Sequence, residues 1–158
     1  MTRIANLFLR VAVVLVGIGA LAFLLREPWI EGRNAHATAV DVYFRDPFLA
    51  YAYLASVPFF VALANTFLLL ARIGRGAIFV PECAKHLRII RLCALATIGF
   101  VVAGELLFIL FNDSDDRAGG VFMGNLIIFL SLMAAAAATV LEGILRAGMR
   151  ESSGPPAR

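Results

Sequence analysis

Four long apolar runs, residues 4–25, 48–71, 89–111 and 121–145, decide what this chain can become. Each is long enough to cross a bilayer, because a helix needs about 20 mostly apolar residues to span the hydrocarbon core. The chain has 158 residues, 61% of them hydrophobic and 16% charged, so four spans leave no length for a soluble domain. A soluble domain is usually about 45–50% apolar. Backbone groups in lipid must pair within a helix or around a closed barrel. The runs lack the period-two alternation of barrel strands. The expected fold is therefore all-α: one compact integral membrane bundle of four transmembrane helices over residues 1–151, followed by a disordered tail at 152–158.

Lys and Arg are distributed unevenly between the connections. Arg3 and Arg10 lie at the start, Arg72, Arg75, Lys85, Arg88 and Arg91 around the second connection, and Arg146, Arg150 and Arg158 at the end. That is ten of the fourteen, and Glu82 is the one acid in the 72–91 segment. The other two connections are mixed or acidic: Glu27, Glu31, Asp41 and Asp46 in one, Asp113, Asp115 and Asp116 in the other. Basic residues near span ends stay on the cytoplasmic side. Both termini are then expected in the cytoplasm of a cell with this chain in its cytoplasmic membrane. Trp29, Tyr43, Tyr51 and Tyr53 fall towards the outer interface, where amphipathic rings are favoured.

The first span has a rival reading as a signal peptide, with Arg3 and Arg10 as its basic region and Ala20-Leu21-Ala22 as a small-x-small cleavage pattern. The apolar run continues through Phe23, Leu24 and Leu25, as an uncleaved anchor would. In the second connection, Gly74 and Gly76 break the helix. Pro81 suits the first position of a new helix, with Glu82 near its positive end. Arg72, Arg75, Lys85, Arg88 and Arg91 form a candidate surface for anionic lipid headgroups or a protein partner. The plainer reading is a topology signal. The net charge of +3 reflects this loop and the tails, and no nucleic-acid recognition motif accompanies it.

Cys83, His86 and Cys93 share a face if that helix is continuous. Cys93 would lie about 10 Å along the axis from His86, so two ligands at most could share an ion, too few for structural zinc. Spacing on a rigid helix also disfavours a disulfide. Small, half-buried thiols are the plainer reading. His36 stands alone in the outer connection. The Asn112-Asp113-Ser114-Asp115-Asp116 turn lacks the central glycine and closing glutamate of a calcium loop. No metal or cofactor site is expected.

Glu105 lies inside the third span, and an ionisable group at that depth is a functional-site hypothesis by default. If Phe111 and Val121 mark the outer interface, Glu105 is level with residue 127, and Asn125 is about 3 Å nearer the surface. Tyr53 is at matching depth on the second span. A Glu105–Asn125–Tyr53 group could be a protonation switch or an ion site. Its plainer role is a hydrogen-bonded group that fixes helix register. Near the other interface, Arg10 and Asn65 fall at similar depths with Asn6 a turn away, and Arg10 can snorkel to the headgroups. Pro58 is expected to kink the second span, tolerated if neighbours satisfy the freed carbonyl. Gly99-x-x-x-Ala103, Ala52-x-x-x-Ser56 and the alanine run 134–138 are material for close helix packing. The fourth span continues as an amphipathic tail carrying the i,i+4 pair Glu142 and Arg146.

Several of these features, in this order, resemble a family of small bacterial membrane proteins known as domain of unknown function 2975. They are Leu7-Phe8-Leu9-Arg10, Pro58-Phe59, Gly76-x-x-Phe79, Leu87-Arg88-x-Ile90 with Cys93, and Val140-Leu141 through Ala147. The family commonly ends in an acidic tail containing Asn-Asp-Leu, whereas this chain ends Ser-Ser-Gly-Pro-Pro-Ala-Arg. The resemblance implies four spans in a bacterial cytoplasmic membrane. Genes of the family often neighbour small helix-turn-helix regulators, which hints at signalling or stress response. It implies no activity and no site residues.

Three functional classes follow. The first is a non-enzymatic interaction protein, a regulator or accessory subunit, in contact with the bilayer and with a membrane partner or its own copies. The second is a small oligomeric transporter or channel that uses Glu105, although no internal repeat is recognisable. The third, an intramembrane enzyme, ranks last, because no paired carboxylates, nucleophile–base pair or metal cluster appears in the spans.

Overall fold

The computed structural model describes residues 3–30, 47–78, 80–111 and 117–152. They form four helices: α1 (Arg3–Ile30), α2 (Pro47–Ile73), α3 (Pro81–Phe111) and α4 (Arg117–Ser152). All four are long and apolar enough to cross a membrane. The acidic 112–116 turn, His36, Tyr43 and the 153–158 tail lie outside the described residues, as does Phe79.

The two longer helices extend the apolar runs on their basic sides. Pro81 begins α3 with Glu82 in its first turn, and no breaker follows before the third run. A proline at that position loses no helical hydrogen bond, since its missing N–H would have had no partner. α4 continues past the apolar run to Ser152. α1 passes unbroken through Ala20-Leu21-Ala22, and α2 is continuous through Pro58.

The α2–α3 turn is closed by its glycines. Ala77 N–H donates to Arg72 O at 3.2 Å and Gly76 N–H to Ile73 O at 3.0 Å. This pair of bonds is the Schellman end of a helix, which requires a left-handed residue just past the cap. Gly76 supplies it, at φ 81°. Gly74 remains part of the helical hydrogen bonding, donating to Leu70 O at 3.0 Å.

Packing follows chain order: α1 against α2, α2 against α3, and α3 against α4 most extensively. The start of α1, the end of α4 and the α2–α3 turn share one end, called here the basic end. The buried apolar cluster sits there: Leu69 of α2, Cys83 and Leu87 of α3 and Ala138 of α4, with Ile73, Val80, Ile90 and Leu145 around it. Ala135 and Ala138, three apart on one face of α4, are both buried, so part of the alanine run brings α4 close to α3. Gly99 differs from its expected role, because a Cβ there would meet nothing within 4 Å. α1 exposes large apolar side chains around most of its circumference, from Ile4 to Leu25. The four helices thus form an all-α bundle in which α2, α3 and α4 share the buried cluster and α1 packs chiefly against α2.

Candidate functional site

Three groups of polar side chains bear on the expected site. The first ties α1 to α2. Asn6 Nδ2 donates to Leu70 O at 2.9 Å, and an Arg10 terminal N–H donates to the same oxygen at 3.2 Å. Asn6 is buried, and the Arg10 guanidinium also lies 5.9 Å from the centre of the Phe67 ring. Arg10 therefore turns inward to a carbonyl and a ring face instead of only snorkelling outward. Gly74 makes room for this contact, since a Cβ there would stand 2.6 Å from Asn6 Oδ1. Near the opposite end Tyr53 donates to Leu24 O at 3.1 Å. Between these ties a Cβ on Gly17 would be at ordinary contact distance, 3.6 Å, from Leu63.

The second group surrounds Glu105 on α3. Its Oε1 is buried and has no hydrogen-bond partner among the described residues. It faces Gly124 of α4, where a Cβ would stand 1.9 Å from that oxygen. The expected Glu105–Asn125–Tyr53 group is not formed by hydrogen bonds. Asn125 is exposed and donates to Val121 O of its own helix at 2.9 Å, and Tyr53 is tied to α1. The physical reason is azimuth: neighbouring residues on a helix point about 100° apart. When Gly124 faces α3, Asn125 is turned away from it. The aromatic residue at this level is instead Tyr51, which donates to Phe100 O at 2.5 Å and packs edge-on against Phe100. Gly104 accommodates the Tyr51 ring, 3.0 Å from where its Cβ would be.

The third group is at the basic end, between α3 and α4, and centres on Glu142. This carboxylate is 4% exposed. Its Oε1 accepts from Arg146 at 2.5 Å, and its Oε2 lies 3.3 Å from an Arg91 terminal nitrogen. That second pairing is a close charge contact without hydrogen-bond alignment, since Oε2 has no hydrogen-bond partner. The expected Glu142–Arg146 pair is thus one half of an interhelical cluster around a buried carboxylate. Sequence reasoning does not find it, because the sequence pattern places Arg91 with the other bases of an open basic surface. The available signal was an acid and a base at matching depth on consecutive spans. A cleft of about 340 Å³ opens beside the cluster, lined by Arg88, Arg91, Thr139, Glu142, Gly143 and Arg146.

Of the other basic residues expected to form a lipid or partner surface, Arg75, Lys85 and Arg88 are exposed, and Arg72 lies 4.0 Å from Glu82. Cys83 departs from the expected half-buried thiol. It is fully buried, and its Sγ–H donates to Ala77 O at 3.3 Å, joining the helix start to the turn. Cys93 is half-buried. His86 reaches across to α2, where its Nδ1 lies 2.8 Å from Asn65 Oδ1. Asn65 donates its own amide to Val61 O, so the histidine is the donor between them. Among the described residues no three His, Cys, Asp or Glu side chains gather as metal ligands.

A family profile described as a protein of unknown function, DUF2975, matches residues 30–152. The chain is also similar to the uncharacterized membrane protein YoaS of Bacillus subtilis (strain 168). The two are 32% identical over 147 residues, covering 92% of each. No solved structure matches.

Proposed function

The chain belongs to the DUF2975 family of proteins of unknown function, and from its geometry we propose a non-enzymatic membrane protein that works by interaction, as a regulator or accessory subunit. The observation that supports this is the direction of its intramembrane donors. Asn6, Arg10, Tyr51 and Tyr53 all donate to main-chain oxygens of a neighbouring helix. Such bonds fix helix placement. What the molecule offers to others is then its outer surface: the apolar wall of α1 and the basic end. The proposed location is a bacterial cytoplasmic membrane with both termini in the cytoplasm, supported by the bias of Lys and Arg towards that end.

The decisive experiment is mass spectrometry of proteins co-purified with the tagged chain from crosslinked native membranes. A stoichiometric second membrane protein is the expected result, and its identity names the pathway. Self-crosslinks alone would overturn the accessory reading. Orientation has its own check in single cysteines placed in a cysteine-free background. A membrane-impermeant maleimide should label Ser114→Cys on intact cells, and Ser153→Cys only after the membrane is opened.

One observation favours a second reading, a small oligomeric transporter: the buried Oε1 of Glu105 without a partner among the described residues. An uncompensated acid in a span marks ion pathways in many membrane proteins. Loss of a proton-coupled flux in Glu105→Gln, with normal expression, would promote this reading over the first.

A further inference from the structure

The cleft beside Glu142 has a construction that a surface patch of arginines lacks. On α4, Thr139, Glu142, Gly143 and Arg146 are spaced three, four and seven residues from the first, which puts them on one face. Across from them on α3 stand Arg88 and Arg91, three apart. The buried carboxylate holds two of the guanidiniums, with Arg146 at 2.5 Å and Arg91 at 3.3 Å. A guanidinium has five N–H donors in a fixed fork, so each keeps donors for another acceptor after meeting Glu142. Arg88 is exposed and has no ion pair among the described residues. Glu142 is met by the other two arginines, Arg146 through a hydrogen bond and Arg91 through a charge contact. Three guanidiniums against one carboxylate leave the cleft with an excess of two positive charges.

Shape and surroundings narrow the ligand. A Cβ on Gly143 would meet nothing within 4 Å, so this glycine borders open space and serves no helix contact. The volume of about 340 Å³ is at the small end of ligand pockets, which begin at about 300 Å³. Arginine forks match the paired oxygens of phosphate better than they match halides or single carbonyls. Close in sequence to the lining residues, α3 exposes Leu92 and Leu95, and α4 exposes Val140, Leu141 and Ile144. A free anion would use the guanidiniums alone. A phospholipid would use both the guanidiniums and this apolar flank.

We propose that the α3–α4 cleft is a binding site for the phosphate of an anionic phospholipid, held by Arg88, Arg91 and Arg146, with Glu142 as the positioning residue that fixes two of the three. The site goes beyond an accessory role and does not depend on which protein partner the chain has. It also differs from the simple headgroup attraction of a basic end, because it is local to six residues on two helices.

The test uses the full chain purified in detergent and native mass spectrometry with phosphatidylglycerol, against phosphatidylcholine as the neutral lipid. The wild type should retain phosphatidylglycerol in preference. Two variants should each weaken that retention about tenfold, the effect of losing a charge-assisted hydrogen bond. One is Arg88→Gln combined with Arg146→Gln, and the other is Gly143→Leu, which fills the cleft while every charge remains. Arg72→Gln with Arg75→Gln removes the same charge from the same end outside the cleft and should change little. If the double variant fails to fold, Arg88→Gln alone and Gly143→Leu carry the test. Equal losses in the cleft and control variants, or no preference for phosphatidylglycerol, would overturn the proposal. Inorganic phosphate provides the last arm. Lipid retained at millimolar phosphate supports a phospholipid site, whereas displacement of the lipid would reassign the cleft to a free phosphate and overturn the lipid assignment.

Discussion

Glu105 and Glu142 sit on facing sides of the same α3–α4 interface, towards opposite ends, and their surroundings could hardly differ more. Glu142 is met by Arg91 from α3 and by Arg146 from its own helix. Glu105 is met by Gly124, a residue with no side chain. A buried charge is costly unless it is paired and hydrogen-bonded. At Glu142 the interface supplies that pairing, and the acid can bind two helices together. At Glu105 the interface supplies only space. The comparison teaches that depth in the span does not decide what an intramembrane acid does. The residue facing it across the helix contact decides.

The strongest way to break the comparison is to remove the paired acid. Glu142→Ala leaves Arg91 and Arg146 without their common partner. Breaking a buried pair usually costs about 3–5 kcal/mol. Both arginines reach solvent here, so the expected loss is about 2 kcal/mol, read as a lower unfolding midpoint in a detergent titration. Stability equal to wild type would mean that the cluster does not hold α3 to α4.

A smaller effect is expected from filling the space opposite the other acid. Gly124→Ala puts a Cβ 1.9 Å from Glu105 Oε1 and forces the carboxyl to move. Overpacking costs about 1–3 kcal/mol, and replacing a helical glycine returns about 1, so a net loss of about 1 kcal/mol is expected. Adding Glu105→Ala should recover it, and the double-mutant cycle isolates the coupling. Additive effects would show that Gly124 and Glu105 do not share that space in the membrane.

The smallest change should come from Glu105→Gln alone. It keeps the shape and alters only the acid, so unfolding midpoint and partner capture should stay within about 0.5 kcal/mol of wild type. A large loss of stability would show that the acid itself has a partner and would remove the contrast with Glu142.

The helices were legible because length and apolarity alone define them. The start of α3 at Pro81 was legible too, since proline followed by glutamate carries a capping signal independent of tertiary structure. The site was legible only along the membrane normal. Counting residues from the interfaces brings Glu105 level with the right stretch of α4, but it cannot separate Gly124 from Asn125, which differ by about 100° of rotation. The same limit explains Asn65, whose depth was compared with that of Arg10 and whose actual partner is His86 on the other neighbouring helix. Rotation is set by packing, and packing at Gly74, Gly104 and Gly124 depends on what each glycine leaves room for. Small-residue spacing does not reveal that, as the open surroundings of Gly99 show.

The carbonyl oxygen of Leu70 gathers donors from Asn6 and Arg10, which are 64 and 60 residues earlier in the chain. Synthesis runs from the N-terminus, so Asn6 and Arg10 are made well before the oxygen that will hold them. Until α2 is in place, α1 lacks these bonds and has to be stable in the bilayer without them. A helix apolar around nearly its whole circumference can do this, and one with a broad polar face could not. The exposed wall of α1 thus also serves assembly: it lets the first helix wait in the bilayer until its neighbour arrives.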